Sequence, residues 1–135
     1  MDLVKSDRFP INTDRDIFIA RKMVRDWVLE VGFGLVDQTK VATAASELAR
    51  NTLQHGGGGE MEIALVTNDA HRSGIRLVFE DHGPGIEDIN LALKDGYSTA
   101  GGMGLGLSGS KRLMSEFILE TKPGKGTRVT VVKWK

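Results

Sequence analysis

The chain has 135 residues, in which 18 basic and 18 acidic side chains cancel, with 17 glycines and no cysteine. That length suits one domain spanning 1–135 whose core needs no staples, and the missing cysteine excludes disulfides, zinc–thiolate centres and thiol chemistry. Zero net charge gives no field toward nucleic acid or membrane, and with neither a signal-peptide pattern nor a bilayer-length apolar run the expected location is cytoplasmic.

Arg8-Phe9-Pro10-Ile11 predicts a short edge strand, a place that tolerates proline. Thr13 caps a predicted helix that runs to Val31 with Ile17, Ala20, Met23, Val24, Trp27, Val28 and Val31 on one face, and Gly32 ends it. A second helix is expected from Asp37 to His55, with Val41, Ala44, Ala45, Leu48 and Thr52 as its buried stripe and Gly56 as its stop. The first helix's apolar face and the Val36–Val41 region suit either the core or an interface, with the core as the default expectation. The period then changes to two: residues 60–67 place Met61, Ile63 and Leu65 on one face, and Ile75 to Glu80 places Leu77 and Phe79 inward. A polar hairpin, Asn68 to Gly74, joins them. A short helix over 87–94, a glycine-rich stretch, a helix from Ser108 to Glu116 and strands at 117–122 and 127–133 complete the order. Helices first and hairpin-linked strands later predict an α+β, two-layer sandwich: a mixed, mostly antiparallel sheet with helices on one face.

The glycines are in excess, since average usage would supply about nine or ten. Most fall in four clusters: Gly56 to Gly59, Gly83 with Gly85, Gly101 to Gly109, and Gly124 with Gly126. Such clusters mark unusual turns or backbone that approaches a ligand.

Three constellations carry possible chemistry. In the second helix Glu47 and Asn51 are four apart and share a face, with Arg50 one row aside and His55 further along the line. An amide oxygen suits magnesium, and a carboxylate beside it can orient or deprotonate a nucleophile; the plainer alternative is a solvated helix face. The second is Asp81-His82-Gly83-Pro84-Gly85, an acid at a strand end able to accept from an exocyclic amine, or otherwise an ordinary tight turn. The third, Gly101 to Gly109, precedes a helix whose N-terminal amides suit phosphate, the alternative being a surface loop. Gly104, Gly106 and Gly109 also match the dinucleotide fingerprint, but no strand precedes them; the P-loop pattern fails because Ser110 stands where its lysine should.

In this order the segments resemble the Bergerat-fold (GHKL) ATP-binding domains. The matches are Glu47 with Asn51, Asp81-His82-Gly83-Pro84-Gly85, Gly102-Met103-Gly104-Leu105-Gly106-Leu107 and Gly124-Lys125-Gly126-Thr127. The resemblance implies that Asn51 carries magnesium and Glu47 is the general base. It implies that Asp81 binds the adenine amine with support from Thr127, in a pocket that Gly83 and Gly85 open. The segment around Gly102, Gly104, Gly106 and Leu107 would hold the phosphates of ATP, under a lid from about Asp95 to Gly104. Arg50 lies outside the general pattern and is expected to reach phosphate or an acidic partner.

A free-standing chain of this size resembles the bacterial serine/threonine kinases of partner-switching systems, which phosphorylate a STAS-domain antagonist. Residues Gly32 to Gln38, Ser46 to Asn51, Asp95 to Thr99 and Lys111 to Met114 resemble the stressosome switch kinases more than the anti-sigma-factor kinases. The resemblance also implies a PP2C-type phosphatase or a sigma factor as a further partner. Two readings from other classes stand beside it: a nucleotide-dependent binding module without transfer, and an ATPase fragment without a protein acceptor.

Overall fold

The computed structural model describes residues 1–88, 90, 93 and 107–135. The helix expected over 87–94 falls largely outside them, as do the expected lid and Gly102, Gly104 and Gly106.

Strand β1 covers Asp2–Ile11, well beyond the four residues predicted. It pairs antiparallel with β2, Gly59–Thr67, from Asp2 opposite Thr67 to Ile11 opposite Gly59, with a bulge between Leu3 and Lys5. Its exposed, charged residues carry no apolar alternation, so periodicity could not reveal it. Helix α1, Asp14–Val31, starts with a reciprocal capping box. Thr13 Oγ1 accepts the Asp16 N–H at 3.2 Å, and the Asp16 carboxylate accepts the Thr13 N–H at 3.1 Å. Gly32, at φ +94°, ends it by donating to Val28 and Leu29 carbonyls.

Helix α2, Leu35–Gln54, begins two residues earlier than expected. Val36 lies in its first turn and is 68% exposed, which corrects its placement in the core, whereas Val41 is fully buried. Strand β3, Ser73–Asp81, helix α3, Leu107–Leu113, and strands β4, Glu116–Lys122, and β5, Gly126–Trp134, follow. The helix predicted to reach Glu116 stops at Leu113 because its end is held elsewhere. Lys133 Nζ donates to the Leu113 carbonyl at 3.1 Å, and the Ser115 N–H turns to the Val132 carbonyl at 2.8 Å.

Among the described residues the sheet order is β1-β2-β3-β5-β4 and every neighbour is antiparallel, in line with the two-layer α+β sandwich expected. The helices lie on one face. Ile17, Ala20, Val24, Val28, Val41, Ala45 and Leu48 pack there against Met61, Ile63, Ile75, Leu77, Phe79 and Val131. Leu65, expected inward, is only half-buried near the strand's end. On the opposite face Ala64, Val66 and Val132 form a small second cluster with Trp134.

Candidate nucleotide site

The inward row of β3 decides where the first candidate carboxylate points. Ile75, Leu77 and Phe79 face the helices and are at most 2% exposed. Two residues on, Asp81 continues that row at the strand's end, opposite Gly59 of β2 and Thr127 of β5. It is 7% exposed, and a carboxylate so buried needs hydrogen-bond donors. One is the Gly83 N–H, at 2.9 Å from Oδ1.

The C-terminus of α2 crosses directly over this carboxylate. A Cβ on Gly56 would lie 2.2 Å from Asp81 Cγ, and one on Gly83 would lie 2.7 Å from Gly56 Cα. Gly126, at φ +93°, would place a Cβ 2.1 Å from the Asp81 carbonyl oxygen. Three of the four glycine clusters therefore converge on one acid. The Gly56 to Gly59 run, which looked like a helix stop alone, supplies part of that packing. No local pattern could have shown this, because Gly56 and Asp81 are distant in sequence.

The loop after Asp81 is gripped from both sides. The Gly85 carbonyl is 3.1 Å from His55 Nε2, which must donate to it, so the proton resides on that nitrogen. The Ile86 N–H of the same peptide donates to Thr121 Oγ1 at 2.9 Å. The Gly124 N–H bonds the Pro84 carbonyl at 2.6 Å and seats the loop on the β4–β5 turn. Thr121 Oγ1 also lies 3.0 Å from the Gly126 carbonyl oxygen and 2.9 Å from Thr127 Oγ1.

Between α2 and the ends of β3 and β5 lies a narrow cavity of about 20 Å³. Leu48, Phe79, Ile86, Leu107 and Val129 supply apolar walls, and Asn51, Asp81 and Thr127 supply convergent polar groups. Apolar walls with a few placed polar atoms are the usual form of a small-molecule site. Asn51 Nδ2 is buried without a hydrogen-bond partner, an uncommon state for an amide outside a binding site. Ser110 Oγ in α3 shares it, and the structure gives no reason. One turn back from Asn51, Glu47 Oε1 is 3.0 Å from Arg50 Nη1, with both side chains partly exposed.

Asn51, Asp81, Leu107 and Thr127 thus share one cavity, Gly83 and Gly85 shape its loop, and Glu47 with Arg50 stand a turn away. His55 and Thr121 join the site although sequence reasoning assigned them no part. Among the described residues no three His, Asp or Glu side chains are grouped to hold a metal. The donor set instead fits an ion held by one amide oxygen and otherwise by water and phosphate, the habit of magnesium. The cavity as it stands has room for about one water; its apolar walls and the Asp81 acceptor are of the kind that meets the edge of a planar base carrying an amine. No helix among the described residues is long and apolar enough to cross a membrane.

A family model described as histidine kinase-, DNA gyrase B-, and HSP90-like ATPase matches residues 36–135. The chain is 47% identical over 124 residues to the serine/threonine-protein kinase RsbT of Bacillus subtilis (strain 168), covering 92% of each. It is 32% identical over 120 residues to an anti-sigma F factor of Thermoanaerobacter sp. (strain X514), covering 85% of this chain and 82% of that one. The solved RsbU and RsbW domains of a Mycobacterium tuberculosis protein match 96% of this chain and 32% of that one. Their TM-score is 0.63 at 19% identity, a likeness of fold. The chain therefore belongs to the histidine kinase-, DNA gyrase B-, and HSP90-like ATPase family, within which it is an enzyme of the serine/threonine-protein kinase type that resembles RsbT.

Proposed function

We propose that the chain transfers the γ-phosphate of ATP to a serine or threonine of a STAS-domain partner in a bacterial stress-signalling switch. The carrying observation is the convergence of Asn51, Asp81 and Thr127 on one apolar-walled cavity, with Glu47 one helical turn away. Identity favours the switch-kinase branch, at 47% to the RsbT kinase against 32% to the anti-sigma F factor. In the anti-sigma reading the chain would also hold a sigma factor. A PP2C-type phosphatase is the further partner proposed for the switch-kinase branch.

In this reading Asp81 accepts from the adenine amine, Thr127 supports that contact, and the loop of Gly83 and Gly85 lets backbone approach the base. Asn51 offers its amide oxygen to magnesium, which when bound neutralises phosphate charge and helps align the transfer. Gly102, Gly104, Gly106 and the start of α3 at Leu107 are assigned to the phosphates. Arg50 pairs with Glu47 and aims its carboxylate; an arriving phosphate or acidic segment competes for the same guanidinium. Glu47 takes the proton of the acceptor hydroxyl as its oxygen bonds the γ-phosphorus and the bond to the departing ADP breaks. A phosphoester and ADP result.

Radiolabelled ATP with the STAS protein encoded alongside provides the test. Glu47→Gln and Asn51→Ala should each lower transfer by about a hundredfold or more with melting temperature retained. Transfer at the wild-type rate in both would end the assignment. A wild-type protein that binds ATP but labels no acceptor would point to the binding-module reading.

A further inference from the structure

We propose that Thr121 sets base specificity at this site by fixing which way the Thr127 hydroxyl points, an inference that rests on the nucleotide reading above. Thr121 stands opposite Thr127 in the β4–β5 pairing, and its Oγ1 has three polar neighbours: the Ile86 N–H, the Gly126 carbonyl and Thr127 Oγ1. A hydroxyl has one hydrogen and two lone pairs. The Ile86 amide can only donate, so it occupies one lone pair. The Gly126 carbonyl can only accept, so it takes the hydrogen. The second lone pair is all that remains for Thr127, which must therefore be the donor in that 2.9 Å contact.

With its hydrogen committed to Thr121, Thr127 presents only lone pairs to the cavity. Beside it in the β3–β5 pairing, Asp81 also presents an acceptor. Two acceptors side by side select a base edge that carries an amine and reject one that carries a carbonyl, because two facing acceptors leave a buried group unpaired. Thr121 keeps this role only while the Ile86 N–H stays aimed at it. The contact of His55 Nε2 with the Gly85 carbonyl holds the opposite edge of the same peptide plane and prevents its rotation. Thr121 is thus a positioning residue. It acts on the ligand through Thr127, and His55 supports it from α2.

The test is nucleotide titration of the full chain with ATP, GTP and purine riboside triphosphate, which lacks the amine. Thr121→Val keeps the shape but frees the Thr127 hydroxyl to rotate. ATP affinity should fall about tenfold and GTP affinity should change by less than about twofold, so the preference for ATP collapses. Thr121→Ser should restore the wild-type ratio. Should Thr121→Val fail to fold, Thr121→Ala removes the same hydroxyl and should collapse the ratio in the same way. An unchanged ATP-to-GTP ratio in the folded hydroxyl-less variant would overturn the proposal, and so would equal loss of both nucleotides. A wild-type protein indifferent to the amine would instead overturn the nucleotide reading itself.

Discussion

Glycine at this site is a steric requirement as much as a matter of backbone freedom. Gly56 has ordinary backbone angles, yet a methyl group there would occupy the volume of the Asp81 carboxyl carbon. Gly56→Ala should therefore displace Asp81 and lower ATP affinity by about tenfold or more, while secondary structure by circular dichroism persists. An ATP affinity equal to the wild type's would show that the carboxylate is not held in this place. The residues legible in the sequence were those whose spacing is local: Glu47 with Asn51, Asp81 with its two glycines, and the late Gly-x-Gly-Thr. Those that escaped act across long separations, 30 residues from His55 to Gly85 and 35 from Ile86 to Thr121. A lone threonine on an exposed edge strand carries no mark of such a contact.

At the level of the elements, ends were better specified than lengths wherever a cap was written into the chain. Thr13 and Asp16 announce the start of α1, and Gly32 announces its finish. Thr13→Ala removes one half of the capping box and should cost about 1 kcal/mol in urea unfolding; no loss would mean that Asp16 alone holds the helix start. The end of α3 was misplaced for a reason that propensity does not encode. Lys133, on β5, reaches its last carbonyl and also lies 3.8 Å from Asp37 at the start of α2, so a tertiary cation decides a helix boundary. Strand β1 was underestimated for the complementary reason. Its length is dictated by pairing with β2, not by a buried face.

For the molecule as a whole, the layer architecture followed from the order of helix-period and strand-period segments, but the sheet order β1-β2-β3-β5-β4 did not. That order matters because it sets β5 between β3 and β4 and so brings Thr127 beside Asp81 and opposite Thr121. The cavity takes its walls from α2, β3, β5 and α3, so a ligand in it joins both layers. Magnesium-ATP should raise the melting temperature with the logarithm of its concentration, by about 2.7 kcal/mol of stability at a hundred times Kd. Asp81→Asn should lose most of that shift, and a full shift in the variant would place the base elsewhere.

The bulge in β1 has a bearing on how copies of the chain meet in concentrated solution. An outermost strand offers unpaired backbone groups to any other chain, and a long flat one is a template for uncontrolled association. Here the irregularity at Val4, the charges of Lys5, Asp7 and Arg8, and a Pro10 with no N–H to give interrupt that template along its length. At the other border, Glu116, Glu120 and Lys122 place exposed charge along β4. Both borders of the sheet are thereby poor partners for strand-to-strand growth.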